Sequence, residues 1–353
     1  MTELRGLTSA RGVAAWFVVL YHIRLSIAGL PTPLVAALGK GYLAVDFFFL
    51  LSGFVIWLAW HERLRDGGTL TVARFWQRRI ARIWPLHAVM LAAAAALALL
   101  LAATGRADPA FPAAELPLHL LLVQNWRLTS ALRWNDPAWS ISCELAAYLL
   151  FPLLAIAVDW RRLRTATLLA IAAALLLALH LAMRGQPRLG ADIPRFGLVR
   201  CLAEFGTGTI VAALWLRARS AAPAILVAAL LLIAWGAGMP ETLAVPAAFA
   251  ALLLALATHD RRPGTSGLVA DALHRLGEIS YATYLSHYLF WKLFKLALVR
   301  DATAVPPSLM ALYLLIVLAA SAGLYRFVER PAQRWINAVP LRRPLPRVLP
   351  RAR

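Results

Sequence analysis

Cysteine and charge are what this sequence has least of. Its 353 residues include two cysteines, Cys143 and Cys201, each set in an apolar segment. Two such residues give no disulfide framework and lack the spacing of a metal site, so no metal is expected. Charged residues make up 15% of the chain and hydrophobic ones 61%, against about 25% and about 45–50% in soluble domains. Mean hydropathy is +0.69, which excludes an ordinary soluble globular protein. Gly/Ser-rich linkers and low-complexity blocks are also missing, so the chain reads as one domain. No small-residue cleavage site follows the first apolar stretch, which carries Arg11, His22 and Arg24. That stretch is a retained span rather than a signal peptide.

Acid is scarcer still. Asp and Glu number 17 against 36 Lys and Arg, a net charge of +19. Such a surplus can serve nucleic acid, but here the basic residues fall in alternate loops between apolar blocks such as Met90–Ala103 and Ala221–Ile233. That is the positive-inside pattern, and the partner it implies is membrane lipid, not nucleic acid. Thirteen tryptophans suit two membrane interfaces. About ten apolar segments reach roughly the 20 residues that a helix needs to cross a bilayer. They lie near 10–30, 40–60, 84–103, 138–158, 165–183, 197–216, 222–239, 241–258, 274–298 and 308–328. The expected fold is therefore all-α, a polytopic transmembrane helical bundle with both termini cytoplasmic. The loop 104–137 faces outward, with 117–126 a candidate re-entrant piece. Residues 1–335 form the membrane-embedded domain, and 336–353 a Pro/Arg-rich cytoplasmic tail attracted to anionic lipid.

With no soluble catalytic domain in view, chemistry must come from the spans and short loops. Ionisable groups inside a bilayer are costly, so each is a functional candidate. Arg11 and His22 are eleven residues apart; at 100° per residue they share a helix face, about 16 Å apart along the axis. The aligned pair places a cation near the cytoplasmic end and an imidazole nearer mid-membrane. Asp46, just before three phenylalanines, needs a cation or imidazole partner. It either orients His22 or pairs with Arg11. Arg74, Arg78 and Arg82 recur every four residues, with Arg79 alongside and Pro85 ending the motif in a turn. Planar guanidinium forks suit phosphate oxygens, so this stripe holds either an anionic cofactor or lipid headgroups. Glu144 lies on a different face from Ser142; near the outer side it either takes a proton from a sugar hydroxyl or pairs with an arginine. Ser280, Tyr284 and His287 follow i, i+4, i+7 and line one face, for substrate or for helix–helix hydrogen bonds. Glu329 marks the last helix end and reads as structural.

These motifs fall in a familiar order. Arg11 through His22 resembles the R-x10-H signature of the acyltransferase 3 family of integral-membrane acyltransferases. Val45-Asp46-Phe-Phe-Phe-Leu-Leu-Ser-Gly-Phe54 is similar to its second-span motif, and Arg79-Ile-Ala-Arg82-Ile-Trp-Pro85 to its R-x-x-R-I-x-P loop. Trp139–Glu144, Ile279–His287 and Arg326–Pro331 resemble three further blocks. Six blocks in order are specific where any one is weak. Leu289 stands where the family often has proline, and Leu145 where it has a second acidic residue. The extracytoplasmic SGNH-type domain of some members is absent, so the resemblance is to the stand-alone form.

The resemblance implies transfer of an acyl group, usually acetyl from acetyl-CoA, to a hydroxyl in a bacterial cytoplasmic membrane. Acceptors in the family are cell-envelope or exported polysaccharides, lipid-linked sugars or small molecules such as macrolides. On that basis His22 is the catalytic base or a transient acyl carrier, supported by Asp46. Arg11, Arg79 and Arg82 bind donor phosphates or stabilise charge, and Asp46 supports them too; Glu144 is expected among the catalytic residues and Tyr284 and His287 among the substrate contacts. The physics is compatible: a thioester is already activated and needs positioning plus a base for the hydroxyl. The alternative is a transporter or exporter, which also needs charges inside a bundle; paired, broken inverted repeats would mark it, and none stands out.

Overall fold

The computed structural model describes residues 4–260 and 267–341. Its helices are α1 (Arg5–Ile23), α2 (Thr32–Leu38), α3 (Ala44–Asp66), α4 (Gly68–Ala103), α5 (Leu116–Leu120), α6 (Ala138–Ala157), α7 (Thr165–Ala182), α8 (Ile193–Arg217), α9 (Ala222–Gly236), α10 (Glu241–His259), α11 (Leu268–Glu278), α12 (Ser280–Leu298), α13 (Pro307–Leu324) and α14 (Arg330–Ala338). No strand ladder forms among the described residues. The protein is an all-α helical bundle of membrane type. A helix stands in each of the ten apolar segments, and seven helical stretches among the described residues are long and apolar enough to cross a membrane. α9 is shorter at 15 residues. α1 and α12, also outside that set, carry the polar residues that face the interior.

Three expectations about element ends are corrected. α1 stops at Ile23, so His22 sits in its last turn rather than mid-span. Pro85 does not end a turn but lies inside the 36-residue α4. A proline removes one helix hydrogen bond, here the one to the Ala81 carbonyl, which membrane helices tolerate; nearby, Tyr281 Oη donates to the Ile83 carbonyl at 2.6 Å. The segment expected as one helix from 274 breaks at Ile279 into α11 and α12. The chain between α9 and α10 turns at Gly238, whose φ of +102° favours a residue without Cβ. Of the expected tail, residues 336–338 belong to α14, and residues beyond 341 lie outside the described residues.

Small residues set the helix crossings. A Cβ on Gly53 of α3 would sit 2.0 Å from the Phe205 carbonyl oxygen, and one on Gly208 of α8 2.0 Å from that of Leu50. The two helices run parallel with backbones in contact, the arrangement small residues permit in membranes, where burial gives no net drive to associate. At a second crossing, Gly12 of α1 faces Gly277 of α11, whose added Cβ would sit 1.8 Å from the Thr8 carbonyl oxygen. Around the first crossing packs the aromatic core of Phe49, Phe54, Trp57 and Phe151. Leu99, Leu153, Ile233 and Leu315 are exposed on the outer surface, as expected of residues that meet lipid tails.

Candidate active site

Two cavities meet inside the bundle. The first, an arginine cavity, is lined by Arg11, Arg79, Arg82, Ser52, Glu144, Tyr148, Val45 and Tyr284, among others. A wider mouth shares Arg11, Arg79 and Arg82 with it and adds Arg330 and Arg334 from α14. The second, a histidine chamber, is lined by His22, Tyr21, Arg24, Asp136, Trp139, Arg200 and Tyr288. Val45 and Tyr284 line both cavities, so the arginines and the histidine lie on either side of these two residues.

The helix crossings place the arginines. Gly277, pressed against α1, turns its carbonyl to Arg11 Nη2 at 2.8 Å, and Ser280 Oγ lies 3.2 Å from Arg11 Nε. Arg82 pairs with Glu329, which is 1% exposed and lies in a π-helical turn, Tyr325–Glu329. The wide turn between α13 and α14 brings that carboxylate back to α4; such turns recur at functional sites. Glu329 thus ties the last helix end to α4. Arg79 lies over the Tyr148 ring at 6.0 Å, and its Nε has no hydrogen-bond partner among the described residues.

His22 is fixed by hydrogen bonds that define its tautomer. His287 Nδ1 lies 2.8 Å from the Tyr284 carbonyl, which only accepts, so Nδ1 carries the proton and Nε2 the lone pair. That Nε2 faces His22 Nδ1 at 3.2 Å, and His22 Nδ1 also meets the Val18 carbonyl at 2.9 Å. Both neighbours accept, so His22 is protonated on Nδ1 and its Nε2 is left as the basic nitrogen. Tyr21 and Tyr288 flank the ring edge-on, with centroids 5.0 and 5.5 Å away. Two turns of sequence logic are corrected here. His287 is fully buried and holds His22 rather than standing in either cavity as a substrate contact. Asp46 neither orients His22 nor pairs with Arg11; its Oδ1 accepts from Arg200 Nε and Nη2 at 3.1 and 2.7 Å.

Glu144 faces the arginine cavity rather than an outer acceptor position, and Ser52 Oγ donates to it. Ser142, on another face as expected, accepts instead from the Asn125 N–H at 3.1 Å. Tyr284 bridges the cavities, with its hydroxyl 2.8 Å from Ser140 Oγ. Three residues escaped the sequence reading. Arg200 and Glu204 are an i, i+4 pair inside a span, and the rule that flagged Arg11 applies to them equally. Asp136, beside Pro137, lines the chamber with His22. No cluster of three or more His, Cys, Asp or Glu able to hold a metal occurs among the described residues.

The family model Acyl_transf_3, an acyltransferase domain, matches residues 4–326. The chain belongs to this acyltransferase family. Acyltransferase MdmB of Streptomyces mycarofaciens is 32% identical over 96% of this chain and 93% of its own. Protein 2 in the picA locus of Rhizobium radiobacter is 36% identical over 39% of this chain and 75% of its own. A Staphylococcus aureus (strain COL) protein named "Putative O-acetyltransferase" is 25% identical over 44% of this chain and 25% of its own. No solved structure matches. The protein is thus a membrane O-acyltransferase, and every family-like block lies within the matched residues except the end of the last one, Arg326–Pro331. α14, whose arginines complete the cavity mouth, lies beyond the match.

Proposed function

We propose that the protein moves an acetyl group from acetyl-CoA, held at the cytoplasmic mouth, to a hydroxyl of an envelope or exported polysaccharide or lipid-linked sugar. The membrane is the bacterial cytoplasmic membrane. The observation that carries this reading is a pair of adjoining cavities: three arginines line one, a neutral-tautomer histidine the other, and Val45 and Tyr284 line both. Guanidinium forks suit the donor's phosphates, and Arg11, Arg79 and Arg82 sit where the mouth narrows into the cavity. The thioester enters the bundle toward His22.

In the reaction, His22 Nε2 takes the proton of the acceptor hydroxyl as its oxygen attacks the thioester carbonyl. The tetrahedral oxyanion collapses, the C–S bond breaks, and the CoA thiolate recovers the proton from His22. His287, accepting from His22 Nδ1–H, keeps Nε2 as the nitrogen that takes up the proton and gives it back. The chamber's Tyr21, Trp139 and Tyr288 offer ring faces and hydroxyls suited to a sugar, and Asp136 a carboxylate to orient a hydroxyl.

The test separates the two cavities. His22→Ala and Arg11→Ala proteins, both inserted normally, are compared for O-acetylation of envelope glycan by NMR and for thermal protection by acetyl-CoA. His22→Ala is expected to lose acetylation but keep the protection, whereas Arg11→Ala weakens both. Acetylation at the wild-type rate in His22→Ala overturns the reading.

A further inference from the structure

The reaction above creates negative charge on the acyl carbonyl oxygen, and that charge needs a fixed donor in a site shielded from water. The chamber holds three guanidiniums. Arg188 is exposed, lying over the Tyr42 ring at 5.9 Å, and Arg24 is engaged with the Tyr21 carbonyl at the rim. Charges that water screens stabilise little. Arg200 differs: it lines the chamber yet is 1% exposed.

Its fork is held on two sides. Nε and Nη2 both donate to Asp46 Oδ1, and the guanidinium lies over the Trp139 ring at 5.4 Å. Glu204, one turn along α8 and fully buried, lies beside the pair. Nη1 is the atom left over: it is buried and has no hydrogen-bond partner among the described residues. An orphaned donor on a buried cation is costly, and a buried ion pair is commonly no better for stability than apolar residues of the same volume. Its retention in the wall of the reaction chamber calls for a use beyond joining α3 to α8.

We propose that Arg200 is a catalytic residue whose Nη1 donates to the oxyanion formed on the acyl carbonyl. Asp46 is then its positioning residue. This rests on the acyl-transfer reading. When the acceptor oxygen bonds to the carbonyl carbon, the carbonyl π pair moves to oxygen and is met by Nη1–H. When the C–S bond breaks, the pair returns and the contact relaxes. No co-reactant beyond the thioester and the hydroxyl is needed.

The test uses membrane vesicles carrying the full chain, given [14C]acetyl-CoA. Release of free CoA thiol and label in envelope glycan are both followed. Arg200→Ala alone would strand Asp46, so the decisive variant is the double change Arg200→Met with Asp46→Leu, which removes both partners of the pair at once. It is expected to insert and to keep acetyl-CoA protection and KM, while kcat falls about 10²–10³-fold, the loss seen for one oxyanion donor. Arg200→Lys, which preserves the charge opposite Asp46 but not the fork, should lose a similar amount and serves if the double variant does not insert. Turnover within about threefold of wild type in either inserted variant overturns the proposal. So does loss of glycan labelling with thiol release unchanged, which would make Arg200 an acceptor contact. His22→Ala run alongside keeps the two claims apart: if it turns over normally, acyl transfer at His22 fails whatever Arg200 does.

Discussion

His287 Nε2 stands 3.2 Å from His22 Nδ1, and this contact between α12 and α1 joins the Val18 carbonyl at 2.9 Å in fixing which nitrogen of His22 is the base. His287→Phe removes one of the two acceptors and leaves His22 Nδ1 with the Val18 carbonyl alone, loosening the ring. Its kcat is expected to drop about 10²–10⁴-fold, the range of a lost general base, with KM for acetyl-CoA unchanged. His287→Gln, whose amide oxygen can accept from Nδ1–H, should recover part of the rate. Steady-state kinetics on the two variants checks this; equal losses would remove the tautomer argument.

The Gly277 carbonyl holds Arg11 only because α11 lies directly on α1. Gly277→Ala puts a methyl where the Thr8 carbonyl oxygen would be 1.8 Å away, so the helices must part. Overpacking of this kind costs about 1–3 kcal/mol. The expected signature is a raised KM for acetyl-CoA together with a lower Tm in detergent. A change in Tm alone would show that Arg11 does not depend on that carbonyl.

Arg82 and Glu329 form a pair in which the carboxylate is 1% exposed. Arg82→Ala leaves that charge stranded, at about 3–5 kcal/mol. Arg82→Met with Glu329→Leu should restore stability without restoring donor affinity. Thermal unfolding with and without acetyl-CoA separates the two effects. Donor protection equal to wild type in the double variant would remove Arg82 from the binding set.

Asp159, in the loop between α6 and α7, caps the turn Trp160–Arg162 and pairs with Arg161 at 3.0 Å. The Arg161 hydrogen bonds hold its carboxyl below the usual carboxylate range. A depressed carboxylate stabilises the fold above its unfolded value, near pH 3.9, and that contribution is lost as pH falls through the lower folded value. Asp159→Asn should therefore be less stable than wild type at pH 7, by about 1 kcal/mol or less for so open a pair. The gap should close in strong acid. Tm against pH for both proteins measures it; a gap independent of pH would assign the effect to the cap alone.

Much was legible along the chain. Apolar runs mark the ten segments in which the bundle's long helices stand, and the ordered blocks from Arg11 to Arg326 carry the family. His22, Arg11, Arg79, Arg82 and Glu144 all reach the adjoining cavities. The misreadings were of partners. Asp46 was set against His22 or Arg11, yet it met Arg200, 154 residues on. His287 was taken to face substrate because a polar stripe faces inward, and inward proved to mean His22.

The sequence by itself determined that this is a helical membrane protein of one acyltransferase family, because hydropathy, charge asymmetry and motif order are properties of local segments. Only the tertiary structure decided how the site is wired. A side chain's partner depends on the rotation and crossing of two helices, here set by contacts such as Gly53 on Phe205 and Gly277 on Thr8. Those crossings turned Arg200 toward Asp46, and His287 toward His22 from 265 residues away. No periodicity within a single helix encodes such a rotation, because it is fixed by packing between helices.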